Sequence, residues 1–448
     1  MPGFKITGGR KLRGKVKTNT SKNGAVNMIV AALLNDGETI LHRIPKIEEV
    51  FRYIEVVRSI NVDIDWVDEK TKEKDENGTS LRIKIKKGGI GVKNLDIKTA
   101  NMIRSFTFVG ALIHTQKSFS WPHSGGCKMG ERTVASHKYG LEYFGVDIKT
   151  KENSYEIKSK SLHPAELIPM YESSDTGAIT LLVAASKIKG ESVIKFAPPN
   201  YQVQDVCFLL EKFGVNIEGI GTSTLKVQGL EKINLYVEHY NSEDPIDAMF
   251  FISSAIVTNS TLTIINAPID FLELELEKLK RMGVKFELGK KYLSDNGKTK
   301  LVDIKILERK EGEKLVAPHD KIHTGAFPAI NNDNLPFFVP IAALAEGITL
   351  IHDWTWENRA IYFTELNRLG GDLRLADPHR VYVNGVKELK GAEVVCPPAL
   401  RPAAIILVAM LSAKGVSILR NVYSIKRGYE GIAERLNKIG AKVEVLKG

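Results

Sequence analysis

Apolar and polar positions alternate along the chain in a pattern that returns six times. Each copy opens with a run that is apolar nearly all round and passes a short turn that usually carries Gly. It continues as a strand, then as an amphipathic helix, and closes in a second strand. The opening runs are NMIVAALL, SFTFVGALI, ITLLVAAS, MFFISSAIV, LPFFVPIAALA and AAIILVAML. A helix without a polar face is expected to be buried on most sides. The closing turns fall at Asn61, Gly145, Gly214, Gly283, Gly370 and Gly440, with successive spacings of 84, 69, 69, 87 and 70 residues. A chain leaving a helix at such a point turns left-handed, which Gly adopts freely and Asn tolerates next best. The period is too long for the common solenoid repeats. The pattern predicts an α/β chain of two globular halves, three copies each, with the apolar helices innermost. Ligands of such a chain are expected in the cleft between the halves.

Composition narrows this picture. The chain has 448 residues, 43% hydrophobic and 26% charged, which suits about two or three globular domains that need no staples. Its three cysteines form no framework. There is no CxxC pair and no His-rich cluster, so neither a disulfide scaffold nor a zinc site is expected. Cys207, in VQDVCFLLEKFGV, and Cys396, in AEVVCPP, lie in apolar surroundings and read as core. The start, MPGFKITGGRKLRGK, lacks an apolar signal core. No stretch reaches the roughly 18 apolar residues of a membrane helix. A cytoplasmic protein with no membrane partner is expected. The net charge of +10 fits an anionic small substrate or a nucleic acid. The lysines are scattered, and no continuous basic face with stacking aromatics is visible, which argues against nucleic acid. GxxxxGK[ST] is absent, which argues against a phosphate-loop nucleotidase.

One segment is too turn-rich for a packed core: HSGGCKMGERTVASH, residues 123–137. Cys127 follows two glycines and has Lys128 and Arg132 beside it. Solvent and positive charge both favour a reactive thiolate.

Taken together, the six-fold unit and the motifs resemble the enolpyruvyl transferases, which are two-domain inside-out α/β barrels built from six repeats of a βαβαββ-like unit. TSKNGAVNMIVAALL is similar to the Lys-Asn signature of the branch acting on UDP-N-acetylglucosamine, the 1-carboxyvinyltransferases of cell-wall synthesis. GGCKMGER resembles that branch's Cys loop, and GAFPAINNDNLPF its Phe-Pro-x-Asp segment with three extra residues. WENR, ALRPAA and RGYEGI match in order, and the chain ends IGAKVEVLKG as that family does. The sister branch, the shikimate-pathway synthase, lacks the Cys loop. The likeness covers nearly the whole chain.

The resemblance implies a catalytic-loop domain at 22–240 and a second domain at 1–21 plus 241–448, with the Cys loop as a lid. It implies transfer of a carboxyvinyl group from phosphoenolpyruvate to an acceptor hydroxyl, with loss of phosphate. Lys22, Arg104, Arg132, Arg359, Arg401 and Arg427 would grip phosphate and carboxylate, a task that suits Arg. Asp333 would take the hydroxyl proton; the bland alternative is an aspartate capping the helix that begins at Leu335. Cys127 would protonate the methylene carbon, form a covalent phospholactoyl adduct, or gate product release, and fosfomycin would alkylate it. Asn23, Ser174, Thr176 and Asp333 would bind the acceptor. His137 would touch it too, or serve as a structural histidine. Glu357 would organise Arg359, or sit in an exposed salt bridge. Nothing calls for a cofactor or a metal.

Departures gather on the acceptor side. Where the family has Pro-Val-Asp-Leu-His, this chain has Thr133, Val134, Ala135, Ser136 and His137. Where it has Lys-x-Ser-Val-Gly, this chain has Glu172, Ser173, Ser174, Asp175 and Thr176. The family aspartate two residues before Arg401 is Ala399. Anions at 172 and 175 would repel a diphosphate. Two acceptors therefore stay open: UDP-N-acetylglucosamine on altered contacts, or another hydroxyl such as that of UMP.

Overall fold

The computed structural model describes residues 2–75, 78–123, 125 and 133–446. The chain divides into two compact units. Among the described residues, one holds 20–125 with 133–242, called the 20–242 unit, and the other 2–19 with 243–446. Each has its own hydrophobic core.

In the 20–242 unit the described strands form three sheets. Tyr236–Tyr240 lies parallel to Glu38–His42, which pairs antiparallel with Ser80–Ile85, and that strand with Val62–Val67. Ile168–Pro169, Gly190–Lys195, Thr224–Gly229 and Asn216–Glu218 repeat this arrangement. The remaining sheet, Ser118–Pro122, Ser154–Ser159 and Val146–Thr150, has three strands among the described residues.

The other unit also has three sheets, and all begin with a parallel pair. Lys15–Lys17 runs beside Leu262–Pro268, Ile322–His323 beside Ile348–His352, and Glu393–Val395 beside Val416–Arg420. In the last of these, the chain's first strand, Gly3–Thr7, is inserted between Val416–Arg420 and Val443–Leu446. The sixth copy of the pattern is thus completed by residues from the opposite end of the sequence.

The apolar runs are helices, and they are buried as their lack of a polar face demands. Every residue of Lys22–Ala31, Thr107–Leu112, Pro245–Val257 and Phe338–Ala342 is buried. Asp175–Ser186 is buried from Gly177 onward, and Leu400–Ser412 from Arg401 to Leu411. Amphipathic helices such as Glu48–Ser59 and Tyr201–Lys212 bury one face only. The corresponding element in the fifth copy, Ala360–Leu369, is a 3₁₀ helix rather than an α-helix. All six closing-turn residues have left-handed backbones, with φ of 69° at Asn61 and 82–98° at the five glycines. Cys207 and Cys396 are both buried. Burial pushes the Cys396 thiol up to about 12, and burial with Glu211 and Asp205 nearby raises that of Cys207 further.

Candidate active site

In the 20–242 unit, Lys22 and Asn23 form the first turn of the buried helix Lys22–Ala31. Ser21 caps it by accepting the Gly24 N–H at 2.8 Å. The helix start fits tightly into polar surroundings. A Cβ at position 24 would lie 2.5 Å from Asp205 Oδ2 and 2.9 Å from Asn241 Oδ1, so only Gly allows this approach. Asp205 accepts the Ser242 hydroxyl at 2.7 Å, and Asn241 donates to the Ser21 carbonyl at 2.9 Å. Both Lys22 and Asn23 are nearly covered. Asn23 Nδ2 donates to the Tyr201 hydroxyl at 2.9 Å.

The stretch 172–176 leads into helix Asp175–Ser186. Ser174 caps that helix, accepting the Gly177 N–H at 3.2 Å. Glu172 is exposed. Asp175 is half-buried, and its Oδ2 accepts Gln202 Nε2 at 2.6 Å and Asn200 Nδ2 at 2.9 Å. Two amides thus hold this carboxylate, and Glu172 is the exposed acid in this stretch. His137, in helix Ala135–Glu142, is buried edge-on against Phe106. Its Nδ1 lies 2.8 Å from Thr180 Oγ1 and its Nε2 3.3 Å from Thr176 Oγ1. Burial lowers its pKa to about 4, so the ring is neutral at pH 7. Arg104 is half-buried, and its carbonyl accepts the Tyr53 hydroxyl at 2.9 Å. Burial, with Glu49, raises the Tyr53 pKa, and the Arg104 charge opposes this.

The other unit assembles charges. Arg401, on the buried helix Leu400–Ser412, donates through Nη2 to Asp333 Oδ2 at 2.9 Å and through Nη1 to the Tyr429 hydroxyl at 2.8 Å. Arg359, fully buried, pairs with Asp353, donates to the Asn332 carbonyl at 2.6 Å, and lies 3.8 Å from Asp333 Oδ1. Burial works against the Arg401 charge, but Asp333, Tyr429 and Asp244 hold its pKa well above the ordinary arginine value. Arg359 Nη1 and Arg401 Nε are buried donors with no hydrogen-bond partner among the described residues. Unsatisfied buried donors are costly, and those on arginine suit an incoming oxyanion. Arg427, half-buried, ends the short helix Tyr423–Lys426.

Two expectations change here. Asp333 does not cap the helix at Leu335: the residue at that cap is Asn334, which makes no side-chain cap bond. Glu357 is exposed, and the acid that engages Arg359 is Asp353, at the end of strand Ile348–His352. Both Asp353 and Arg359 are removed from water, so each needs the other. Cys127, Lys128 and Arg132 lie outside the described residues. Sequence reading missed Asp353, Tyr429, Asn200, Tyr201 and Gln202. Tyr429 stood inside the quoted RGYEGI. The amide-rich APPNYQVQD was a visible but unspecific signal.

Comparison with known proteins identifies the family. The family described as EPSP synthase (3-phosphoshikimate 1-carboxyvinyltransferase) matches residues 6–436. The UDP-N-acetylglucosamine 1-carboxyvinyltransferase of Borreliella burgdorferi is 30% identical over 448 residues, covering 100% of both chains. The protein of the same description from Treponema denticola is 30% identical over 442 residues, 98% of each chain. Among solved structures, the enolpyruvyl transferase NikO from Streptomyces tendae superposes with a TM-score of 0.83 at 22% identity, over 100% of this chain and 99% of that one. An EPSP synthase from Acinetobacter baumannii gives 0.74 at 19%, over 100% of both. At these identities the structural likeness speaks to the fold. The chain belongs to the EPSP synthase family of carboxyvinyl-transferring enzymes.

Proposed function

We propose that the chain moves the carboxyvinyl group of phosphoenolpyruvate onto a hydroxyl of UDP-N-acetylglucosamine, as the names of its full-length relatives suggest. The acceptor oxygen bonds to C2 of phosphoenolpyruvate and gives up its proton, while the methylene carbon gains one. The tetrahedral intermediate then loses a methyl proton and its C2–O bond to phosphate, which leaves as inorganic phosphate. Lys22, Arg104, Arg132, Arg359, Arg401 and Arg427 hold the phosphate and carboxylate. Asp333 receives the hydroxyl proton. Cys127 acts as acid, covalent partner or product gate. The domains divide at 22–240 against 1–21 with 241–448, in the inside-out α/β barrel arrangement of six βαβαββ-like repeats.

The observation that carries this reading is the Asp333 carboxylate held on Arg401 beside two buried, unmatched arginine donors. A bound anion would satisfy those donors and compete for Arg401. Asp333 would then be released from its pair and could take a proton. Base and anion site would thereby be coupled through Arg401, with Arg359 3.8 Å from the same carboxylate.

A second acceptor, UMP, is favoured by one observation: the exposed Glu172 where the family carries lysine. The test is phosphate release from phosphoenolpyruvate with each acceptor in parallel. Release with UDP-N-acetylglucosamine supports the main reading, and release with UMP alone replaces it. Release with neither refutes both.

A further inference from the structure

The start of helix Tyr201–Lys212 ties two other helix starts together. Tyr201 receives the Asn23 amide at 2.9 Å, and both side chains are almost fully buried. Gln202 Oε1 lies 3.5 Å from Asn27 Nδ2, the same amide that donates to the Asn23 carbonyl at 2.9 Å. The other end of the Gln202 amide donates to Asp175 at 2.6 Å, where Asn200 joins at 2.9 Å. Asn200 is itself the helix cap and accepts the Tyr201 N–H at 2.9 Å. One continuous chain of hydrogen bonds thus runs from Asn23 to the residue between Ser174 and Thr176.

We infer that Tyr201 and Gln202 are positioning residues for the acceptor: they fix the Asn23 amide and set segment Ser174–Thr176 in register with it. The inference rests on the reading that Asn23 and this segment contact the acceptor. The physical reason is specific to neutral groups. An amide has a donor end and an acceptor end, and it can turn over. A buried partner on the nitrogen of Asn23 decides which end faces outward. A buried network whose members are all satisfied holds one geometry; a half-satisfied one does not. The anion at 175 is part of the device. Charge-assisted bonds are the stronger ones, so Asp175 anchors both Asn200 and Gln202.

The test compares steady-state kinetics of wild type, Tyr201→Phe, Asn23→Ala and the double variant. Phosphoenolpyruvate serves as donor, with whichever of UDP-N-acetylglucosamine and UMP the wild type uses. Tyr201→Phe removes one hydroxyl and keeps the ring, so the melting temperature checks its fold. Loss of one hydrogen bond that orients a substrate group should raise the acceptor KM about tenfold. The KM for phosphoenolpyruvate should stay within about twofold. In the Asn23→Ala background Tyr201→Phe should add nothing, because the two act as a unit. Gln202→Leu should show the same split and serves if Tyr201→Phe is poorly folded. Equal effects on both substrates, no effect on either, or additivity in the double variant would overturn the positioning role while leaving the function intact. Normal acceptor kinetics in Asn23→Ala, or turnover of neither acceptor by the wild type, would remove the acceptor reading and this inference with it.

Discussion

The two units build their candidate site clusters from different residue chemistry. In the unit of residues 243–446, the site is made of charges: Asp333, Asp353, Arg359 and Arg401, three of them nearly or fully buried, each paired with another. In the 20–242 unit, beside the candidate cations Lys22 and Arg104, a second cluster is made of neutral amides and hydroxyls, with one acid, Asp175, at the centre of the amides. Fixed guanidiniums recognise any oxyanion of suitable shape and repay their desolvation only while paired. Oriented amides discriminate between ligands, because a ligand lacking the matching group leaves them unsatisfied. Under the proposed function, the contrast separates two clusters: buried guanidiniums that would hold anions, and an amide network that would orient the acceptor.

The sharpest way to break this contrast is Asp333→Asn. If Asp333 is the base, kcat falls about 100- to 10,000-fold, while the folded state, measured by circular dichroism, persists. Retention of more than a tenth of the activity would move the base elsewhere. Next comes Asp353→Ala, which strands the buried Arg359 charge and should cost about 3–5 kcal/mol of stability in chemical denaturation. Glu357→Ala, at an exposed position, should stay within about 0.5 kcal/mol. The reverse order would restore Glu357 as the acid that serves Arg359.

A pH effect belongs to the 20–242 unit. His114, His137 and His239 all have pKa values lowered to about 4, with burial the leading cause in each. A histidine depressed in the folded state binds its proton more readily when unfolded. Its contribution is therefore complete above the unfolded value near 6.5 and is lost as pH falls toward about 4. The slope is up to about 1.4 kcal/mol per pH unit for each histidine. Melting curves read through tryptophan fluorescence at pH 7, 5.5 and 4.5 should show falling stability. His137→Gln should flatten the dependence, and an unchanged slope would mean that His137 is protonated when folded.

The smallest effect is expected at Glu172→Lys. An added cation facing a diphosphate should lower the KM for UDP-N-acetylglucosamine several-fold, more so at low salt than at high. No change at either ionic strength would place position 172 away from the acceptor phosphates.

Much of this molecule was written locally. The six left-handed turns follow from Gly and Asn at helix ends, because a positive φ is a property of one residue's backbone. Burial of the six apolar runs follows from their lack of any polar face, and Cys207 and Cys396 are buried as their apolar surroundings suggested. Tertiary structure decided which polar groups meet. It inserted residues 3–7 into a sheet otherwise made from the far end of the chain. It gave Arg359 to Asp353 instead of Glu357, which is nearer in sequence but faces solvent. It also made Asp175 the anchor of Asn200 and Gln202. A hydrophobic pattern specifies a buried face without naming a partner, because apolar attraction has no direction. A hydrogen bond needs distance and angle together, and these exist only once distant segments have been brought into place.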